Sequence, residues 1–255
     1  MSLILSRNSA TGLSLNFSSN ITCPSICPFC YGQRRSKADA ARLCVEHGLA
    51  PGLITSNNGP ITWPKQQEVY RKQTLALQQM TVEGIAQEAR RLTASLRRRH
   101  YDNIRVPGCG DLFPQLVDLC LHLAGEGIKV WGFTRKPDQI LRMAADLKEW
   151  TIARRIYRPT FRLSIDRWTT KDEIKRRADA GMTLAGKSCA VLAYMALPDE
   201  TAADIRAQWW WPLCAVVLGY HATMKHTKVG IAKECPKTAG RDITCQTCKR
   251  CQRSA

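Results

Sequence analysis

Residues 103–147 read NIRVPGCGDLFPQLVDLCLHLAGEGIKVWGFTRKPDQILRMAADL, and the fold class turns on them. Asn103–Pro107 has strand character, and Leu112–Ala124 is helical and stops at Gly125 and Gly127, as glycines at helix ends commonly do. Lys129–Thr134 is a second strand, and Pro137–Leu147 a second helix with proline at its start, where the missing N–H costs nothing. The same rhythm runs on through a strand at Phe161–Ile165, a helix at Thr170–Ala180 ended by Gly181, a strand at Ser188–Ala196, a helix at Glu200–Trp210 and a strand at Leu213–Tyr220. Upstream, Leu13–Ser18 alternates apolar and polar residues as a half-buried strand should. Six strands with helices between them imply right-handed crossovers and a parallel α/β sheet, open or rolled into a barrel.

The rest of the chain departs from that rhythm. A loop of cysteines and prolines follows the first strand, and a helix is expected over Ser36–His47, with Ser36 as its cap. Glycine, proline and asparagine scattered through Gly48–Pro64 predict a long loop. About residues 64–100 form a helical insertion, broken near Met80–Thr81, and from Met224 onward apolar periodicity gives way to a cysteine-, lysine- and proline-containing tail. The expected division is therefore 1–223 for the β/α unit and 224–255 for the tail.

Composition narrows the class. The 255 residues are 44% hydrophobic and 23% charged, which argues against wholesale disorder. The longest apolar run, Leu213–Leu218, falls far short of the roughly 20 residues a membrane-spanning helix needs, so no membrane partner is expected. The apolar patch Leu3–Leu5 has neither the basic segment nor the length of a secretory signal, and a cytoplasmic location is expected. There the 12 cysteines would stay reduced, and seven of them fall in two tight clusters, which points to metal or iron–sulfur ligation before disulfides. With 38 Lys+Arg against 21 Asp+Glu the formal charge is +17, which favours nucleic acid or another polyanion as partner. Clusters such as Arg90–Arg91 and Arg97–Arg99 read equally as solvated helix faces.

The first cluster, Cys23-Pro24-Ser25-Ile26-Cys27-Pro28-Phe29-Cys30-Tyr31, spaces three thiols as C-x3-C-x2-C. Structural zinc normally takes four ligands, so three thiols suit zinc only with a donor from elsewhere. They suit a cubane 4Fe-4S cluster held at three irons with the fourth open. The two prolines stiffen the loop and remove backbone donors, and the remaining amides can bond cluster sulfurs and tune the potential. Reduced surface thiols are the plainer alternative.

This motif, with Phe29 as its aromatic and lying just after the first strand, resembles that of the radical S-adenosylmethionine (radical SAM) superfamily. The resemblance implies a partial (β/α)6 TIM-like barrel with the Cys-rich tail appended, and a 4Fe-4S cluster on Cys23, Cys27 and Cys30 whose open iron chelates S-adenosylmethionine. It also implies reductive cleavage of the sulfonium C–S bond to methionine and a 5′-deoxyadenosyl radical, with an electron donor such as ferredoxin or flavodoxin. Gly108, Gly110 and Asp111 stand where the superfamily binds the amino group of the methionine part, although Cys109 intervenes and Asp replaces Glu. A plain strand-to-helix turn with Asp111 as N-cap is the other reading. Ser164 and Asp166 stand where ribose hydroxyls are bound, and Asp166 reads equally as a helix-initiating residue. Thr134, Arg135 and Lys136 offer a cation to a ligand carboxylate, and His221 and His226 lie past the last strand. No residue is assigned to catalysis.

A closer resemblance spans most of the chain. Cys23–Tyr31, residues 107–113, Trp131–Arg135, Leu163–Asp166 and the cysteine tail recur in that order in the phage "gene product 88" family. That resemblance implies a divergent radical SAM relative working in the cytoplasm of an infected host.

The second cluster, Cys235 with Cys245, Cys248 and Cys251, is C-x9-C-x2-C-x2-C and can close around one zinc or ligate a second 4Fe-4S cluster. Nearby Lys and Arg side chains would lower the thiol pKa values. Cys44, Cys120, Cys189 and Cys214 lie among apolar neighbours and read as small core residues. Trp209–Trp211 suits an interface or a packed helix end. A radical enzyme acting on an unidentified, nucleotide-like or nucleic-acid substrate is the leading expectation. A non-radical iron–sulfur protein for electron transfer or nucleic-acid binding is the alternative, and a zinc-stabilised nucleic-acid binder a third.

Overall fold

The computed structural model describes residues 2–8, 12–23, 36–46, 48–52, 63–153, 157–196 and 200–219. Strands β1 (Ser6–Asn8) and β2 (Gly12–Ser14) pair antiparallel, with Ser6 opposite Ser14. From β2 the ladder is parallel through β3 (Asn103–Arg105), β4 (Lys129–Thr134), β5 (Thr160–Ile165), β6 (Leu192–Ala196) and β7 (Cys214–Gly219). Spatial order follows chain order across all seven strands. The molecule is thus mixed α/β around a mostly parallel sheet, as the alternation predicts, and the described ladder stays open between β1 and β7. The seventh strand, β1, escapes sequence reading because Ser-Arg-Asn carries no apolar alternation.

The helices are α1 (Ser19–Thr22), α2 (Lys37–Glu46), α3 (Trp63–Gln78), α4 (Val82–Arg98), α5 (Pro114–Gly125), α6 (Pro137–Ala153), α7 (Lys171–Ala185) and α8 (Ala202–Arg206). Contacts run α4 to α5 to α6 to α7, which makes one continuous helical layer against the sheet. In α4, Ile85, Ala89, Leu92 and Leu96 recur at helical spacing and are all buried. Facing them are Ile104, Val106, Leu163 and Leu192 from the strands, in one continuous core. Burying each such aliphatic side chain contributes roughly 1.5–3 kcal/mol. The opposite strand face, with Ser14, Arg105, Trp131, Arg162 and Ser164, carries none of these helices.

Caps explain the helix limits. Thr81 Oγ1 accepts the Gly84 N–H at 3.2 Å, which divides α3 from α4 where Met80–Thr81 predicts a break. Ser36 caps α2 as expected, its hydroxyl accepting the Asp39 N–H at 3.0 Å. Helix α7 does not stop at Gly181. Gly181 lies inside it because a Cβ there would come within 2.7 Å of Val191 Cβ, and the true stop is Gly186, left-handed at φ +71°. Helix α8 is also shorter than expected; a capping box of Thr201 and Asp204 starts it, but it ends at Arg206 before a 3-10 turn over Trp211–Leu213. Trp210 there packs on Tyr194 with ring centroids 4.5 Å apart, while Trp209 is exposed beside Lys171.

Cys44, Cys120 and Cys214 are buried as expected, and Cys189 is half-buried against the core. No helix among the described residues is long and apolar enough to cross a membrane. The tail at 224–255 lies outside the described residues.

Candidate functional site

Parallel strands bring their carboxyl ends to one edge, and the loops there collect most of the described residues that the sequence marks. After β2 the chain continues extended, with the Leu15 N–H donating to the Arg105 carbonyl at 3.1 Å and the Phe17 N–H to the Cys109 carbonyl at 2.9 Å. It then turns through α1 into Cys23, whose N–H donates to the Ser19 carbonyl at 3.0 Å. Thr22 ties this turn to the end of β3: its hydroxyl donates to the Ser18 carbonyl and accepts the Asp111 N–H, each at 2.8 Å. Cys23 is therefore held beside the Gly108–Asp111 segment.

Both glycines are needed for that closeness. A Cβ on Gly108 would lie 2.3 Å from Asn16 Oδ1, and one on Gly110 would lie 2.8 Å from the Phe17 carbonyl and from Thr22 Oγ1. Gly110 also has φ +84°, which a side chain would strain.

Asp111 is 4% exposed and its carboxylate is spent on the protein itself. Oδ1 accepts the Leu112 N–H at 2.8 Å and the Thr134 hydroxyl, and Oδ2 accepts the Arg135 N–H at 3.2 Å. Burial pushes its pKa up, against the lowering effect of those hydrogen bonds and of Lys136. It is not the N-cap of the following helix, since α5 begins at Pro114 after Phe113. Asp111 instead braces the end of β3 to the end of β4.

The brace extends sideways. Arg135 Nη2 donates to Asp166 Oδ2 at 2.6 Å, with both side chains largely buried. Asp166 Oδ1 accepts the Thr169 hydroxyl at 2.8 Å and the Trp168 N–H at 3.2 Å. Asp166 does not initiate α7, whose N-cap is Thr170. Ser164 is buried one step down the strand from this loop, and its carbonyl accepts from the buried Arg177. Farther along, the Tyr194 hydroxyl donates to Glu200 Oε1, which lies 3.8 Å from Arg167 Nε; burial raises the phenol's pKa and the Glu200 carboxylate adds to it.

The structure thus gathers Cys23, Gly108, Gly110, Asp111, Ser164 and Asp166 toward one edge, with Thr134 and Arg135 between the two acids. Phe29, Cys27 and Cys30, the tail cysteines Cys235, Cys245, Cys248 and Cys251, and His221 and His226 lie outside the described residues. Among the described residues no group of three metal-ligating side chains comes together. Thr22 and Glu200 carry no motif and are missed by sequence reading. Arg105 and Arg162 had a usable signal, a charge in mid-strand flanked by apolar residues. Cys109 is buried, and burial pushes its thiol up to about 11, which disfavours the thiolate.

Comparison with family models, with curated proteins and with solved structures finds no match in any of the three.

Proposed function

We propose that this chain is an iron–sulfur protein of the radical SAM type, with its cluster at the carboxyl edge of a partial (β/α) barrel. The observation that carries the reading is the position of Cys23, first thiol of the C-x3-C-x2-C run, against the Gly108–Asp111 turn. Two features support the barrel. Strand order follows chain order without reversal, unlike a doubly wound sheet. Ser14, Trp131, Arg162 and Ser164 are also buried on a face that bears none of the α4–α7 layer, as side chains inside a rolled sheet are.

Cys23, half-buried at the edge, fits a cluster ligand, and Cys27 and Cys30 would complete the set. Such a cluster supplies one-electron reductive cleavage of S-adenosylmethionine. Gly108 and Gly110 would let backbone approach the bound ligand, and Arg135 lies near enough to the edge to meet a carboxylate. The four tail cysteines would hold a second 4Fe-4S cluster or zinc. Exposed Arg90 and Arg98 on α4, with Arg99 at its C-cap, favour a nucleotide or nucleic-acid substrate.

One observation favours a second reading, a non-radical iron–sulfur protein for electron transfer or nucleic-acid binding. Asp111, the counterpart of the acid expected to receive the amino group, already uses both oxygens within the fold. The deciding experiment is anaerobic: iron-loaded full-length protein receives dithionite and S-adenosylmethionine, and 5′-deoxyadenosine is sought by chromatography. Its formation supports the radical reading. No product, with a cluster EPR spectrum unchanged by the ligand, selects the second reading, and zinc without iron overturns both.

A further inference from the structure

We infer that the helix-free face of the sheet, around Arg105 and Trp131, binds the oxyanion of a small-molecule ligand, a phosphate or a carboxylate. The register puts Ser14, Arg105 and Trp131 side by side across β2, β3 and β4. Phe133 stands opposite Arg162 on β4 and β5, and Ser164 lies two residues farther along. Strand alternation turns all of these toward the face away from the α4–α7 layer.

A cation that ends a central strand, set between the buried Ile104 and Val106, needs a reason. The Arg105 guanidinium carbon lies 5.8 Å from the Trp131 ring centroid and 5.4 Å from that of Phe133, so aromatic faces hold the planar group. Aromatic faces stabilise the charge but accept no in-plane hydrogen bond. Arg105 Nε is buried and makes none, and neither does Trp131 Nε1 on a side chain only 2% exposed. Buried donors without an acceptor are costly, and both of these are donors only.

No carboxylate among the described residues forms an ion pair with Arg105. Asp102 pairs instead with Lys129 at 2.7 Å and Asp166 with Arg135 at 2.6 Å. Beside the half-buried Arg105, the buried Arg162 adds a second cation, whose Nη1 donates to the Ala190 carbonyl at 3.0 Å. Outside the described residues the acids are Asp199, Glu234 and Asp242, set among many more Lys and Arg. Two guanidiniums, an indole N–H and the Ser164 hydroxyl form a donor-rich, cationic surface, and its complement is an oxyanion. The inference does not rest on the cluster or on S-adenosylmethionine, although its residues adjoin the edge: Arg105 and Ser14 end β3 and β2, and a Cβ on Gly108 would lie 2.9 Å from Ser14 Oγ.

The test is calorimetric titration of the full-length chain, without added iron or S-adenosylmethionine, with pyrophosphate and in parallel with malonate at matched ionic strength. The wild-type chain is expected to bind at least one of them, and the stronger identifies phosphate or carboxylate as the recognised group. Arg105→Gln is expected to weaken binding tenfold or more, and Trp131→Phe about threefold. Arg176→Gln, on the outer surface of α7, is expected to stay within twofold of wild type. Arg105→Lys keeps the charge without the fork and supplies the same comparison if the Gln variant does not fold. Wild-type protein that binds neither anion overturns the inference, as does equal weakening by the Arg105 and Arg176 variants. Neither result bears on deoxyadenosine formation.

Discussion

Replacing Asp111 by alanine measures how far the carboxyl edge depends on one buried acid. Truncation removes the acceptor for the Leu112 and Arg135 N–H groups and for the Thr134 hydroxyl. The hydroxyl can turn away, since it already accepts the Lys136 N–H at 3.1 Å, but the two main-chain donors cannot. Each orphaned buried donor costs about 1–3 kcal/mol. Desolvation of the carboxylate, which raises its pKa, opposes part of the gain in the wild type, so the expected loss is about 3 kcal/mol. At roughly 2–4 °C per kcal/mol for a chain of this size, that is a fall in Tm of about 6–12 °C. Asp111→Asn keeps the Oδ1 acceptor and should cost about 1 kcal/mol at neutral pH. Its pH dependence has a definite sign. An acid whose pKa is higher folded than unfolded binds more protons in the native state, so stability falls as pH rises from 3.8 through the folded value. The wild type should therefore lose stability relative to Asp111→Asn across that window and hold a constant difference above it. Urea denaturation from pH 3.5 to 8 reads both quantities. An alanine variant within 0.5 kcal/mol of wild type, or a difference from Asn that grows with pH, would refute the role of Asp111 as a brace.

Two glycine substitutions should act in opposite directions in chemical denaturation. Gly132→Ala places a Cβ 2.0 Å from the Val106 carbonyl oxygen in the middle of the sheet and should cost about 3 kcal/mol or more. Gly84→Ala, half-buried in the first turn of α4 with its nearest atom at 3.4 Å, should instead stabilise by about 0.5–1 kcal/mol. Iodoacetamide at pH 8 should modify Cys189 in the native protein and spare Cys44, Cys109 and Cys120, which peptide mass spectrometry resolves; labelling of Cys109 at the rate of Cys189 would contradict its burial. If the proposed N-terminal cluster forms on reconstitution, Cys27→Ala should abolish its charge-transfer absorbance, and undiminished iron and absorbance would remove the cysteine from the ligand set.

Regular elements were legible where burial imposes a period, and illegible where local hydrogen bonds take over. The strands Lys129–Thr134 and Phe161–Ile165 emerge almost to the residue because each is bounded by a helix cap and packed on one face by aliphatic side chains. Helix α1 is four residues long, too short for any periodicity, and depends on Thr22 and the Ser18 carbonyl. Gly181 misled because a glycine in a helix reads as a stop, whereas here the small residue answers to the neighbouring Val191. At the candidate site, the chain order of strand ends announces which loops converge. It does not announce that Asp111 and Asp166 are already occupied, because their partners Thr134, Arg135 and Thr169 join them only through the sheet and a turn.

That occupancy separates two zones with different chemical freedom. Along the edge, Thr22, Asp111, Thr134, Arg135 and Asp166 form one connected set of hydrogen bonds running from the end of β2 to the end of β5. Connected donors and acceptors of this kind fix geometry, and a ligand meeting them must displace a bond the fold already makes. Behind the edge, Arg105 and Trp131 keep donors without acceptors, so an oxyanion there gains hydrogen bonds without breaking any. Under the proposed function, hydrogen-bonded loops that set the position of Cys23 and an interior with donors lacking acceptors would be complementary requirements for a reaction begun at the edge on a molecule anchored deeper in the sheet. The anchoring step and the edge chemistry can fail separately, and the Arg105 and Cys27 variants address each alone.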